Sequence, residues 1–251
     1  PFYSENISDN YASSGSEREQ YSPIPSSRNE IFNIGSKFEK THIIYDKQAT
    51  EERIKRIASQ YRFLHFSTHG MLDEQQPLYS GLVLFQDNDK SEDGFLQTYE
   101  IFNLNLNAEL VTLSACGTGR GIMKKGEGII GLSRAFQYAG AQSLVVSLWN
   151  VSDESTAQLM TYFYHNLKQG MNKVRALQQA KLSLMNTTKK QGDLEISYSH
   201  PFFWAPFILI GDTQQIYTSK SQYKQLYWCI LMAGIIGVLI IFLKLIKQKR
   251  R

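Results

Sequence analysis

The chain has 251 residues, enough for one sizeable domain with appendages, and its 42% hydrophobic and 20% charged residues are the composition of a globular protein. The net charge is +4, but Lys244, Lys247, Lys249, Arg250 and Arg251 place five positives at one end, so the rest is close to neutral and gives no case for nucleic-acid binding. Two cysteines, Cys116 and Cys229, make no disulfide framework, and the start at Pro1 carries no signal-peptide pattern, which reads as a piece of something longer or processed.

Residues 1–22, rich in Ser, Asn, Glu and Pro, read as a disordered linker that includes Tyr3, Tyr11 and Tyr21. A globular domain is expected over 23–213. Its first helix is predicted over 26–38 and a short strand over 41–45. Thr50 should cap a helix over 51–58, because early acids and later bases suit the helix dipole. Strands are predicted over 62–68 and 81–85, a polar turn at 87–89, a short helix over 99–104 and a strand over 109–115. A helix over 127–139 and a strand over 142–149 follow. Ser152 should cap a long helix to Lys168, Gly170 should break it, and Asn172 should start another to Met185. A polar loop is expected over 187–199 and a last strand over 207–211. The strands are apolar on both faces and alternate with helices. That pattern predicts an α/β fold with a mainly parallel central sheet and helices on both sides. Sites in such sheets gather at the carboxyl ends of strands.

A juxtamembrane linker is expected over 214–225. Residues 226–246 then carry a single charge, Lys244, and as a helix would span about 30 Å, the thickness of the hydrocarbon core. Tyr227 and Trp228 at one edge and the basic tail 247–251 at the other fit a single-pass transmembrane helix. Lys244 can snorkel. The positive-inside rule puts the tail in the cytoplasm and leaves the side of the globular domain open.

The chemistry concentrates at two strand-to-loop breaks. Phe63 to Gly70 ends in His69-Gly70, and Glu109 to Gly117 ends in Cys116-Gly117. A cysteine attacks as thiolate, and a nearby histidine can take its proton and later protonate a leaving amine. The backbone amides of Gly70 and Cys116 are the expected oxyanion donors. The histidine precedes the cysteine by 47 residues, and Ala115-Cys116-Gly117 matches the core of the caspase pentapeptide, whose histidine lies about 50 residues upstream. Asp153, after a strand end, is a candidate acid in a substrate pocket; a first-turn helix acid is the plainer reading. His65 and His69, four apart on an extended strand, cannot chelate one ion, and His65 reads as a core histidine. Gly126-x-Gly128-x-x-Gly131 matches a dinucleotide fingerprint by letter, but it does not follow its strand directly. No metal and no cofactor are expected.

Several blocks in order then resemble the CHAT domain family, a caspase-like branch related to separase. They include Leu64-His65-Phe66-Ser67-Thr68-His69-Gly70, Ser80-Gly81-Leu82-Val83-Leu84, Leu110-Val111-Thr112-Leu113-Ser114-Ala115-Cys116, Gly126 to Phe136, Ser147-Leu148-Trp149-Asn150-Val151-Ser152-Asp153 and His200 to Phe207. The resemblance implies a caspase-like three-layer α/β/α sandwich, a His69/Cys116 dyad and tetratricopeptide repeats upstream. Metacaspases carry an acid two residues before the nucleophile; Ser114 stands there in this chain. Two functions follow as expectations. One is a membrane-anchored cysteine endopeptidase acting on a protein or peptide substrate. The other is a catalytically silent interaction scaffold at the membrane.

Overall fold

The computed structural model describes residues 2–3, 21, 23–73, 75–87, 92–114, 116–117, 127–149, 152–192, 194–216 and 227–237. In chain order these form β1 (Phe2–Tyr3), α1 (Pro25–Gly35), α2 (Glu51–Ile57), β2 (Phe63–Ser67), β3 (His69–Met71), β4 (Gly81–Val83), β5 (Phe95–Gln97) and α3 (Thr98–Ile101). Then come β6 (Leu110–Leu113), β7 (Cys116–Gly117), α4 (Glu127–Tyr138), β8 (Ser143–Ser147), α5 (Asp153–Lys168) and α6 (Lys173–Met185). The series ends with β9 (Thr188–Gln191), β10 (Leu194–Ser197), α7 (Pro201–Trp204) and β11 (Phe207–Gly211).

The fold is mixed α/β around a partly parallel five-stranded sheet, ordered β1-β2-β6-β8-β11. β1, β2, β6 and β8 run parallel, and β11 closes the edge antiparallel to β8. Strand alternation divides the core in two. Leu64, Phe66, Val111, Leu113, Leu144 and Val146 pack with Ile54 of α2 and Phe136 of α4. Phe63, Leu110 and Val145 meet α1, α5 and α6 on the other face. Period-two alternation within uniformly apolar strands lets one sheet bury both faces under helices.

Local chemistry explains the helix starts. The Thr50 hydroxyl accepts from the Arg53 N–H and starts α2, with Glu51 and Glu52 in its first turn and Lys55 and Arg56 in its last. Asn172 likewise accepts from Arg175 N–H at 2.8 Å and starts α6. α3 is held by a Gln97/Glu100 capping box. Gly140, with φ at +113°, follows α4 where a Cβ would collide with the Leu106 carbonyl oxygen.

Three expectations need correcting: the strand over 41–45, the loop over 187–199 and the Ser152 cap. The predicted strand over 41–45 does not form: Ile44 is buried and makes an isolated bridge, but the segment is no strand of the sheets among the described residues. The predicted polar loop over 187–199 is a hairpin, with β9 and β10 paired antiparallel. Its alternating polar residues carry little burial signal, so backbone pairing alone defines it. Ser152 makes no side-chain cap to α5. Phe2–Tyr3, within the stretch read as linker, pairs with Phe66 and Ser67 as an edge strand. Among the described residues no helix is long and apolar enough to cross a membrane. Of the predicted span 226–246, only 227–237 lies within the described residues; it is helical, and Tyr227, Trp228, Ile230, Met232, Ile235 and Ile236 are exposed.

Candidate active site at the ends of two parallel strands

A second sheet, ordered β5-β4-β3-β7, makes the site. β2 and β6 pair in parallel with Phe63 opposite Leu110 and Phe66 opposite Leu113. Both strands then break and re-pair beyond the break, where His69 lies opposite Cys116 and Gly70 opposite Gly117. Ser114 N–H donates to the Phe66 carbonyl at 2.8 Å and carries the pairing towards the break. The offset between partners is 47 residues before the break and after it. The spacing of histidine and cysteine along the chain is therefore the register of the sheet. Register partners on adjacent strands lie about 4.8 Å apart. The backbones of the two predicted dyad residues are thus neighbours.

His69 is buried, and the Tyr21 ring stacks on its imidazole with centroids 5.0 Å apart and planes at 29°. Gly70 is buried in the middle of the second sheet, opposite Leu82 on β4 as well as Gly117 on β7. The Thr68 hydroxyl donates to the Val83 carbonyl and ties the turn before His69 to β4. The Cys116 side chain and Gly126 lie outside the described residues. The hydroxyl of Ser114 is buried with no hydrogen-bond partner among the described residues.

Asp153 sits at the start of α5, where its carboxylate accepts the Ser26 backbone N–H at 2.6 Å. It thereby satisfies the first turn of α1, whose own N-cap position, Ile24, has no side-chain acceptor. Burial raises its pKa above the ordinary carboxylate range, opposed by the Ser26 hydrogen bonds.

A buried chain of polar groups lies under the site, and sequence reasoning did not find most of it. Glu30 of α1 accepts from His65 Nε2 and from the Ser67 hydroxyl, both at 2.8 Å. His65 Nδ1 lies 3.2 Å from the Tyr164 hydroxyl, which lies 2.9 Å from the Thr112 hydroxyl. Glu30, His65, Ser67, Thr112 and Tyr164 are all buried. One proton per bond satisfies the set: Thr112 donates to Tyr164, Tyr164 to Nδ1, and Nε2–H to Glu30. Burial lowers the His65 pKa against the opposing pull of Glu30, so the ring is neutral. The expectation of a satisfied core histidine is met. The polar letter of His65 in an apolar strand was a visible signal; its partners on α1 and α5 had none.

These shifts set a pH dependence. A histidine whose folded pKa lies below its unfolded value of about 6.5 favours folding fully above that value. The contribution is lost as pH falls below it, because the unfolded chain takes the proton first. Melting temperatures should therefore fall between pH 7.5 and pH 5.5, and His65→Gln should flatten that slope; an unchanged slope would show that His65 does not set it.

Glu51, Glu92 and Glu100 bring three carboxylates within 4.8 Å of one another, a spacing a metal could use. Lys55 Nζ already lies 2.7 Å from Glu51, 3.0 Å from Glu92 and 2.7 Å from Glu100. Burial pulls the Lys55 ammonium down, but the three acids outweigh it and hold it above its usual range. Burial pushes Glu51 up to about 8, since one lysine cannot neutralise three carboxylates. A protein cation occupies the centre of this cluster, so it is a structural knot between α2 and α3.

The family model described as the CHAT domain matches residues 7–212. The chain belongs to the CHAT domain family. Curated relatives include tetratricopeptide repeat protein 28 from Mus musculus, 24% identical over 241 residues. Its counterpart from Homo sapiens is 25% identical over 236 residues. Each alignment takes in 82% of this chain and 9% of the relative, so this CHAT domain chain corresponds to a small part of those proteins. The match spans the five-stranded sheet from β2 to β11 and both strand-end breaks of the CHAT domain.

Proposed function

We propose that the chain is a caspase-like cysteine endopeptidase in which Cys116 is the nucleophile and His69 the general base and then acid. The observation that supports this is the register of His69 with Cys116 at the carboxyl ends of two parallel strands. In this reading the thiolate attacks a peptide carbonyl and the amides of Gly70 and Cys116 hold the oxyanion. His69 then protonates the leaving amine, and water hydrolyses the thioester. In this reading the helices on both faces of the sheet make a caspase-like three-layer sandwich and the strand ends receive the substrate; the partly parallel central sheet supports it. Asp153 is proposed as an acid at the rim of the substrate pocket. Tetratricopeptide repeats upstream would recruit the protein substrate, a reading supported by the names of the curated relatives.

The direct test is a thiol-directed peptide probe on native chain carrying Cys229→Ser, since Cys229 is exposed and would react by itself. Labelling at Cys116 above the denatured control supports the peptidase. Its absence, with the upstream region present, leaves the silent interaction scaffold.

Tyr21 lies over the proposed base, so it shields the site in this conformation. A stacked ring pair is worth about 0.5–1.5 kcal/mol. Tyr21→Ala is therefore expected to speed probe labelling at Cys116 by about threefold to tenfold; a rate equal to that of the parent chain would rule out shielding.

We also assign 226–246 as a single-pass anchor with the basic tail cytoplasmic. The exposed apolar side chains of 227–237 support it. That stretch covers about 16 Å as a helix, half the hydrocarbon core. The full chain should resist alkaline carbonate extraction from membranes, and a chain ending at Ile216 should be released.

A further inference from the structure

A cavity of about 610 Å³ lies at the other end of β2 from the proposed catalytic pair. Phe63, in its wall, precedes His69 by six residues, which puts the two ends about 20 Å apart along an extended chain. The cavity is therefore separate from the candidate active site. Its size is that of a small-molecule pocket.

The walls and rim differ sharply in chemistry. Phe38, Phe63 and Tyr164 form an aromatic wall, with Phe38 5.8 Å from Phe63 and 6.1 Å from Tyr164 between ring centroids. Ile57 and Leu64 face them from the other core. Phe38, Ile57 and Phe63 are only half-buried, so apolar surface is left open to the cavity. The polar groups in the wall are already occupied. Tyr164 and His65 belong to the buried chain described above, and the Tyr61 hydroxyl is bonded to His42 Nδ1 at 2.8 Å. The rim carries Lys37, Lys40 and Lys168 against one acid, Glu39, and Arg62, whose guanidinium is already paired with Glu109. Lys40 and Lys168 are exposed, and their ammonium groups have no hydrogen bond or ion pair among the described residues.

We propose that this cavity binds a small organic anion, with an aromatic or acyl body against Phe38 and Phe63 and a carboxylate or phosphate at the Lys40/Lys168 rim. A neutral apolar ligand would leave the rim cations unused, and an inorganic anion would leave the aromatic wall wet. An amphipathic anion satisfies both parts.

The test is calorimetric titration of the full chain with 1-naphthaleneacetate and with decanoate. One-to-one binding that weakens with salt is expected for at least one probe, and the one that binds names the body as flat or acyl. The double variant K40E/K168E should weaken it by about tenfold or more while leaving the unliganded melting temperature unchanged. Gln60→Trp, at an exposed position on the cavity lining, should fill the space and abolish binding. No saturable binding of either probe, or binding equally tight in K40E/K168E and in Gln60→Trp, would overturn the proposal.

Discussion

Cys116→Ala is expected to remove peptide-bond hydrolysis and thiol-probe labelling together, with a loss of at least about a thousandfold in kcat/KM. His69→Ala should lose a similar amount, and the double variant should lose little more than either one alone, because a nucleophile and its base act as a unit. The pairing of His69 with Cys116 in one sheet makes their backbones neighbours. It also predicts the effect of register. A single glycine inserted between Ser114 and Ala115 leaves β6 paired with β2 but moves Cys116 one place along. That moves its side chain to the opposite face of the strand. The insertion should be as damaging to activity as Cys116→Ala, with little loss of stability. Hydrolysis that survives in Cys116→Ala would assign the nucleophile elsewhere.

Glu30→Ala is expected to cost about 3 kcal/mol of stability, because it leaves His65 Nε2–H and the Ser67 hydroxyl buried without their acceptor. For a domain of this size that is roughly 6–12 °C in melting temperature. Glu30→Gln keeps the size and one acceptor and should cost less, about 1 kcal/mol, since the Ser67 hydroxyl can turn to accept from the new amide. Urea unfolding of the three chains checks the order. A loss under 1 kcal/mol for the alanine variant would mean that water reaches His65 and Ser67 in the folded state. The network also has a place in the site. Glu30 is on α1, whose start is held by Asp153, and Tyr21, four residues before the helix, covers His69. Loosening α1 should therefore expose the imidazole as well as lower stability.

Much of this was legible in the residues. Uniformly apolar, β-branched stretches separated by helical periods predicted the strands β2, β6, β8 and β11 and helices on both sides of them. Helix starts with a local acceptor, Thr50 and Asn172, were also readable, because a cap needs only neighbours in the chain. Where the acceptor came from elsewhere, as Asp153 does for α1, no local pattern announced it. The hairpin of β9 and β10 and the strands β3, β5 and β7 of the second sheet failed to show for the same reason: they are stabilised by pairing with distant backbone, which leaves little trace in hydropathy, whereas apolar β4 was predicted.

The sequence by itself determined the membership of the chain in its family and the two strand-end motifs, His69-Gly70 and Cys116-Gly117. Those depend on residue type and order, which are local properties. The tertiary structure decided that the interval of 47 residues is a sheet register, since register depends on which strands pair and on which face is buried. It also decided that Tyr21 lies on His69 and that Glu30 bridges His65 and Ser67. Such contacts join residues tens of positions apart, and only the packing of α1 onto the sheet brings them within reach.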